Sequence, residues 1–260
     1  MSAVERIGAN AIGRLRHFIY AVGYAVEVFR QVPRFLTRRT VGSRVLTMQV
    51  LFTGVEALNV IATISLGIGT VIVIQGLSLL PQFGQGRLIY SILIIVITRE
   101  LGPILTALIV TARSGTAIAT ELGNMVVNHE IEAYTITGIN PIQHIVVPRL
   151  IGVTLSTFLL NLYFNVFGLL GSFVVTQFVN PISVVEYWSG LLEALSMTDV
   201  ASSVVKSLVF GAITALVATF YGLQVERSST EIPVAAIRSV GRGITLLILA
   251  NAVITLAYYL

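Results

Sequence analysis

Residues 113–149 read RSGTAIATELGNMVVNHEIEAYTITGINPIQHIVVPR, a polar segment in a chain that is otherwise mostly apolar. The segment carries carboxylates, a short helix-like stretch, a Gly-Ile-Asn-Pro break and a Pro-Arg pair where the chain becomes apolar again. A structured polar segment between two apolar ones predicts a loop that enters water and contacts a partner there.

The composition around this segment is that of an integral membrane protein. Of 260 residues, 55% are hydrophobic and 11% are charged, whereas about 25% of the residues of a soluble domain are charged. Apolar runs of about 20 residues indicate helices rather than barrel strands. We therefore predict an all-α membrane protein. The absence of cysteine excludes disulfides and thiolate metal sites, and the net charge of +4 does not indicate nucleic-acid binding.

The sequence divides into a basic region, 1–49, and a transmembrane region, 50–260. Residues 11–31 have an amphipathic helical pattern that Pro33 should end, which predicts a helix in the plane of the lipid headgroups. The alternative is a soluble helix packed on a partner. Five apolar runs predict transmembrane spans: 57–80, 88–112, 150–179, 203–225 and 243–260.

The arginines predict the orientation of these spans. Eight arginines precede the first span, Arg113 and Arg149 flank the 113–149 loop, and three more separate the last two spans. The other side holds only Arg87 and Lys206 as basic residues. The positive-inside rule therefore places the N-terminus and the loop in the cytoplasm and the C-terminus outside. We expect Lys206 to extend to the outer headgroups, and Tyr187, Trp188, Tyr258 and Tyr259 to lie at the outer interface.

Arg99 and Glu100 lie in the middle of the second apolar run. Two central charges cost about 5–7 kcal/mol of insertion free energy. The apolar residues of the span contribute a favourable insertion free energy of similar size, so the span is close to the limit at which it can insert. The charges should therefore face protein or a water-filled cavity. Pro103 can free a backbone carbonyl beside them. Two hypotheses remain open: a polar element of a substrate pathway, or a structural ion pair with a neighbouring helix or subunit.

The polar loop has the signals of a short helix. Asn128 is a candidate N-cap, and Glu130 and Glu132 fall in the first turn. Gly138 should end the helix, and the chain should then turn at Pro141. This order favours a docking element for a cytoplasmic partner over a merely solvated loop. The sequence has no GxxxxGK[ST] phosphate-binding loop, so any ATP would be hydrolysed by another chain.

Residues 98–149 resemble the MlaE (YrbE, or Ttg2B-like) permease family of lipid-transporting ABC systems. Glu132-Ala133-Tyr134 is also similar to the EAA loop of importers, but Tyr134 replaces the second alanine, and no direction of transport follows. The resemblance to the MlaE family rests on Arg99-Glu100-Leu101-Gly102-Pro103, Arg113-Ser114-Gly115, Glu121-Leu122-Gly123, Glu132-Ala133-Tyr134, Gly138, Pro141 and Pro148-Arg149.

This resemblance implies a homodimeric permease that binds a cytoplasmic ABC ATPase dimer, with ATP used only by that partner. It also implies a phospholipid substrate, a periplasmic MCE-domain protein, often a small STAS-domain protein, a bacterial inner-membrane location and a contribution to outer-membrane lipid asymmetry. The implied substrate pathway consists of Arg99, Glu100, Leu101, Pro103, Gly67, Ile72 and Gly76. The implied ATPase-coupling residues are Glu130, Glu132, Tyr134, Gly138, Pro141 and Arg149.

Three alternatives belong to other functional classes. A proton-driven secondary transporter would use Glu100 as its titrating group and need no ATPase. A membrane-embedded lipid-modifying enzyme would need a nucleophile with its base, or several carboxylates and histidines at membrane depth, and the sequence indicates only one carboxylate there. A scaffold for the MCE protein would move no lipid itself. The lipid headgroup, the full stoichiometry and the placement of residues 1–31 stay open.

Overall fold

The computed structural model describes residues 3–38, 43–79, 88–179, 181–226 and 228–260, and this part of the chain contains helices and no strand. Five helices are long and apolar enough to cross a membrane, which confirms the predicted all-α class and number of spans. The helices are α1 (Ala3–Arg38), α2 (Leu46–Ser78), α3 (Leu88–Val127), α4 (Glu130–Ile136), α5 (Ile142–Val179), α6 (Val184–Ala194), α7 (Met197–Leu223) and α8 (Ser229–Tyr259).

The spans are longer than their apolar runs, and the predicted 113–149 loop is correspondingly shorter. Residues 113–127 continue α3 because Ile118, Ala119 and Leu122 are buried against neighbouring helices. Residues 142–149 likewise already belong to α5. Only residues 128–141, which include α4, connect the second and third spans.

Helix α5 lies at the centre of the bundle and packs most extensively against α2 and α7. Its contact with α2 depends on glycine, because a β-carbon on Gly69 would lie 2.0 Å from the carbonyl oxygen of Gly168. A β-carbon on Gly171 would likewise lie 2.7 Å from the carbonyl oxygen of Leu66. Small residues allow the two backbones to approach closely, which is a common way for membrane helices to associate.

Two ends of the bundle can be distinguished. The α4 end carries α4, the start of α2 and the connection between α7 and α8, and α1 reaches it through a hydrogen bond from Tyr24 to the Thr219 hydroxyl of 2.9 Å. The α6 end carries α6, the start of α3 and the end of α8. There Tyr187 of α6 stacks edge-on against Tyr90 of α3 at 6.0 Å between ring centroids.

Tyr187, which the sequence predicted to lie at the outer interface, faces the protein core. Its ring is buried, and its hydroxyl donates to the Leu169 carbonyl oxygen at 3.0 Å and pairs with the Ser172 hydroxyl. Burial raises the pKa of Tyr187 to about 12. Trp188, its neighbour, is half-buried.

Helix α1 runs through Pro33, which does not end it as predicted. One stripe packs on the bundle: Tyr24, Val28, Gln31 and Phe35, spaced four, three and four residues apart. Burial raises the pKa of Tyr24. The opposite stripe is apolar and exposed, and consists of Ile19, Val22, Val26 and Phe29. This arrangement is compatible with the predicted headgroup position, which stays a prediction.

Several sequence predictions fall on residues whose placement is not described. Arg87 and Arg227, used above for orientation, lie outside the described residues. The side chains of Ile12, Leu15 and Phe18, which contribute to the apolar face of the amphipathic pattern in residues 11–31, also lie outside the described part.

The close contact between α2 and α5 predicts a local sensitivity to side-chain size. Gly69→Ala should lower the free energy of unfolding by about 1–3 kcal/mol, because the added methyl group meets backbone atoms that cannot rotate away. Gly67→Ala on the same helix is the matched control, since its β-carbon meets nothing within 4 Å. Thermal unfolding in detergent measures both, and equal melting temperatures would contradict the predicted difference.

Candidate functional site

Four charged side chains meet near the α6 end, in the interior of the span region. Arg99 and Glu100 come from α3, and Asp199 and Lys206 come from α7. Arg99 Nη1 lies 3.3 Å from Asp199 Oδ1, and Lys206 Nζ lies 2.7 Å from Glu100 Oε2. Arg99 Nε is 3.5 Å from Glu100 Oε1, an ionic contact too long for a good hydrogen bond. We call these four residues the charge cluster.

Lys206 is fully buried and does not extend to the outer headgroups as predicted. Its ammonium donates to Glu100 Oε2, to the Thr255 hydroxyl at 2.8 Å and to the carbonyl oxygen of Arg99 at 3.2 Å. An ammonium has three N–H donors, so Lys206 joins α7 to both α3 and α8 with none left over.

Pro103 explains why the carbonyl of Arg99 is available. Proline has no N–H to donate to the carbonyl four residues earlier, and that carbonyl belongs to Arg99. The preceding turns, Ile94–Leu101, widen into a π-helical segment, a form of helix often found at functional sites. The Arg99 carbonyl accepts a hydrogen bond from Lys206, as is expected of a carbonyl whose usual α-helical donor position is occupied by proline.

The end of α8 closes over Arg99. The guanidinium carbon lies 4.7 Å from the ring centroid of Tyr258 and 5.2 Å from that of Tyr259, and Nη2 donates to the Tyr259 hydroxyl. Tyr258 also donates to the Thr198 hydroxyl at 3.3 Å. Instead of only forming an aromatic belt, as predicted, both tyrosines contact the charge cluster.

The cluster contains two cations and two carboxylates, so its formal charges cancel. Arg99, Asp199 and Lys206 are buried, whereas 27% of the Glu100 side chain is exposed. Burying one of these charges without its partner would be strongly unfavourable. The most accessible member of the cluster is therefore Glu100.

Arg99 and Glu100 lie near the first quarter of α3 and not at its middle, because α3 continues to Val127. On the α5 side, a β-carbon on the adjacent Gly102 would lie 2.9 Å from the side-chain oxygen of Asn161 and 2.6 Å from that of Asn165, so only glycine admits them here. Asn161 also donates to the Ser203 hydroxyl at 2.9 Å. The charge cluster therefore continues into a polar contact between α3, α5 and α7.

The other residues predicted for the substrate pathway occupy different environments. Gly67 lies on an exposed face of α2 with open space beside it, and Gly76 is half-buried. Ile72 packs against the main core. Leu101 is half-buried and Pro103 is buried, both next to the charge cluster. Their role in a pathway stays a prediction.

At the opposite end, α4 begins after His129 and not after a capping Asn128. His129 adopts a left-handed conformation with φ of 60°, and Asn128 ends α3. Gly138 ends α4 as predicted, with φ of 77°. The N–H of Ile139 donates to the Tyr134 carbonyl at 2.9 Å, and that of Gly138 to the Thr135 carbonyl at 3.1 Å, the Schellman arrangement that favours glycine.

No residue of α4 is buried, so its whole outer surface is available to a partner. Glu130 and Glu132 are exposed, Tyr134 is half-buried, and Ile136 is 85% exposed at the end of the helix. Pro141, the first residue after the turn, is half-buried.

A groove of about 470 Å³ separates α4 from the bundle and includes Glu130, Tyr134 and Arg149 in its lining. Arg149 is buried at its base, where Nη2 lies 2.6 Å from Glu121 Oε1 and Nη1 donates to the Ile145 carbonyl at 3.0 Å. Arg149 therefore ties the start of α5 to the last turns of α3 and is not itself an exposed docking residue.

Sequence reasoning missed Asp199, Thr255, Glu121 and Glu56 as partners of the charged residues. Glu56 forms an exposed ion pair with Arg113. Each partner lies between 28 and 155 positions away in sequence from a charged residue that it contacts, so no local spacing could reveal it. A polar residue within an apolar span was the only available signal, and it was present at Lys206.

Comparisons with known proteins agree with this architecture. The profile of a family described as Permease MlaE matches residues 46–257. The chain is 29% identical over 207 residues to a probable ABC transporter permease protein of Rickettsia typhi, covering 80% of each chain. It is 26% identical over 188 residues to the intermembrane phospholipid transport system permease protein MlaE of Haemophilus influenzae, covering 72% of each. It is also 31% identical over 171 residues to the protein TRIGALACTOSYLDIACYLGLYCEROL 1, chloroplastic, of Arabidopsis thaliana, covering 66% of this chain and 49% of that protein.

The ion pair between Lys206 and Glu100 predicts a non-additive effect on stability. Lys206→Met should lower the free energy of unfolding by about 3 kcal/mol or more, because it leaves a carboxylate without its buried counter-charge. The double variant Lys206→Met/Glu100→Gln should recover most of this loss. Denaturant or thermal unfolding in detergent gives both values, and a double variant no more stable than the single one would argue against the pairing.

Proposed function

The chain belongs to the MlaE permease family, and we propose that it is the membrane subunit of an ABC transporter that moves phospholipid between the inner membrane and a periplasmic MCE-domain protein. In this role it would contribute to the lipid asymmetry of the outer membrane. The observation that carries the proposal is the charge cluster, a polar site within apolar spans whose Glu100 remains accessible. Apolar helix faces suit acyl chains, and the cluster suits a lipid headgroup.

We further propose that α4 is the coupling helix on which a cytoplasmic ATPase dimer docks. Its exposed carboxylates offer charge complementarity to a basic surface, and Ile136 offers an apolar anchor. Helix α3 runs unbroken from the charge cluster to the turn before α4. A displacement of α4 by ATPase closure would therefore be transmitted along α3 to the lipid site.

We propose that the α4 end faces the cytoplasm, an orientation that the distribution of the arginines and the position of α1 support. With the α4 end in the cytoplasm, α1 lies at the inner headgroup level and the end of α8 faces the periplasm.

Helix α8 is the least buried span, and Leu249, Val253 and Leu256 are exposed along it. This apolar surface suits contact with the acyl chains of the bilayer. The homodimer that we propose is what the resemblance to the MlaE family implies. A STAS-domain protein would bind the ATPase and not this chain.

The deciding experiment is reconstitution of the complex purified from native membranes into proteoliposomes containing fluorescent phospholipid. The proposal expects an ATPase to copurify and lipid transfer to an MCE-domain acceptor to require ATP hydrolysis. A complex whose ATPase cannot hydrolyse ATP is the control. Equal transfer without ATP would support the proton-driven alternative instead, and an absence of transfer under all conditions would support a scaffold.

Substitutions in the charge cluster should reduce transport without preventing assembly. Arg99→Ala or Glu100→Ala should lower the rate of lipid transfer by about tenfold or more, since each removes charge-assisted hydrogen bonds of about 1.5–3 kcal/mol. Copurification of the ATPase and a monodisperse elution profile establish assembly. Unchanged transport in both variants would remove the case for a role in the pathway.

Charge reversal on α4 should weaken the ATPase complex. Glu130→Lys/Glu132→Lys should reduce the amount of copurified ATPase by about tenfold, as is expected from like charges placed in a complementary interface. The matched control is Glu186→Lys/Glu193→Lys, which reverses two exposed carboxylates on α6 at the other end of the bundle. If both pairs have the same effect, or neither has one, docking on the acidic face of α4 is contradicted.

A further inference from the structure

The end of α8 presents one face to the charge cluster. Thr255, Tyr258 and Tyr259 are spaced three and one residues apart, which places them together on one side of a helix. Thr255 accepts a hydrogen bond from Lys206 and donates to Glu100 Oε2 at 3.3 Å. The two tyrosine rings and the Tyr259 hydroxyl contact Arg99. We call Thr255, Tyr258 and Tyr259 the α8 cover.

The α8 cover is what separates Arg99 from the outside. Tyr259 is 66% exposed, whereas Arg99, directly beneath it, is 6% exposed. Arg99 Nε is also buried without a hydrogen-bond partner in the described residues. The guanidinium therefore keeps an unused donor but is not accessible to a ligand while the α8 cover is in place.

The α8 cover is attached to the bundle by few core contacts. Beyond Leu247, no residue of α8 is buried, and Val253 and Leu256 are largely exposed. The two cation–π contacts to Arg99 are individually weak, because each such interaction contributes about 0.5–2 kcal/mol. Segments with few buried apolar contacts open at low free-energy cost. The end of α8 is thus the part of the site that can move most easily.

We propose that the α8 cover is a movable lid that positions Arg99 and controls access of a lipid headgroup to the charge cluster. The inference rests on the proposed lipid-transport function and identifies the residues that regulate its site. In the closed state, Tyr258 and Tyr259 hold the guanidinium against Asp199. In the open state, the end of α8 moves away from α3 and α7, and the headgroup replaces the tyrosine contacts. A static cap with the same contacts would have no such open state.

The first test tethers the lid. The natural chain has no cysteine, so Thr198→Cys/Tyr258→Cys introduces the only two thiols at positions whose hydroxyls lie 3.3 Å apart. A short bis-thiosulfonate reagent would join α7 to the lid, and a reductant would release it. Lipid transfer by the reconstituted complex should fall by about tenfold on tethering, a change of about 1.4 kcal/mol in barrier, and should recover after reduction.

The control tether lies at the same end of the bundle but outside α8. Gln177→Cys/Ile182→Cys would join the end of α5 to the segment before α6, where the Gln177 side chain donates to the Ile182 carbonyl at 2.7 Å. This tether should leave lipid transfer unchanged. If the tethered lid also transports lipid at the unmodified rate, the lid proposal is overturned. If the unmodified complex moves no lipid, the proposed function fails instead, and the two failures are distinguishable.

The second test uses Lys206 as a natural reporter, because it is the only lysine in the chain. An amine-reactive reagent followed by peptide mass spectrometry separates Lys206 from the N-terminal amine and from the partner subunits. Lys206 should be protected in the resting complex and should react about tenfold faster in Tyr258→Ala/Tyr259→Ala, which removes both cation–π contacts. Tyr258→Phe/Tyr259→Phe retains the rings and should stay protected.

The alanine variant should still copurify with the ATPase and should keep the melting temperature of the wild-type complex. Faster labelling of Lys206 with both properties retained reports lid opening and not unfolding. During ATP turnover, Lys206 of the wild-type complex should react faster than in the resting state. Protection of Lys206 that is equal in the resting, turning-over and alanine-substituted complexes would contradict a lid.

Discussion

The cost of placing charge in hydrocarbon governs this structure. Two cations and two carboxylates enter the span region, and their formal charges cancel because α3 and α7 bring them within ionic contact of one another. The Lys206–Glu100 contact is the central one, since Lys206 is fully buried and uses all its donors on α3 and α8. Three spans must be in register before this ammonium is satisfied, so the ion pair specifies how they pack.

Backbone chemistry makes that register possible. Pro103 leaves the Arg99 carbonyl without its usual helical donor, and Lys206 supplies the replacement. Gly102, next to it, allows the amide oxygens of Asn161 and Asn165 to approach the backbone of α3. The Arg-Glu-Leu-Gly-Pro sequence is thus a single unit: two charges, the glycine that admits α5 and the proline that exposes an acceptor. The same logic of backbone approach recurs where Gly69 and Gly171 bring α2 and α5 together.

Hydropathy alone was enough to predict the class and the number of spans, because a helix of about 20 consecutive apolar residues has the length that crosses the hydrocarbon core of a bilayer. Helix ends were less predictable, since 113–127 remain helical through packing of Ile118, Ala119 and Leu122 and not through their polarity. The turn after α4 followed from Gly138, whose positive φ is a local requirement. The position of Lys206 was predicted wrongly because it depends on a residue that is distant in sequence and not on a local requirement. A lysine near a span end extends to the headgroups unless a distant carboxylate meets it, and Glu100 lies 106 residues away.

The two ends of α3 differ in what holds them, and this difference suits a transporter. At the α4 end, Arg149 is bonded to Glu121 and to its own helix, which fixes the last turns of α3 against the start of α5. Near the α6 end, α3 meets the charge cluster, one wall of which is the thinly packed end of α8. A rigid joint at one end and a weakly held wall at the other concentrate any displacement of α3 at that wall. The rigid region would then transmit a movement, and the region that we propose to contact a headgroup would be the one that yields.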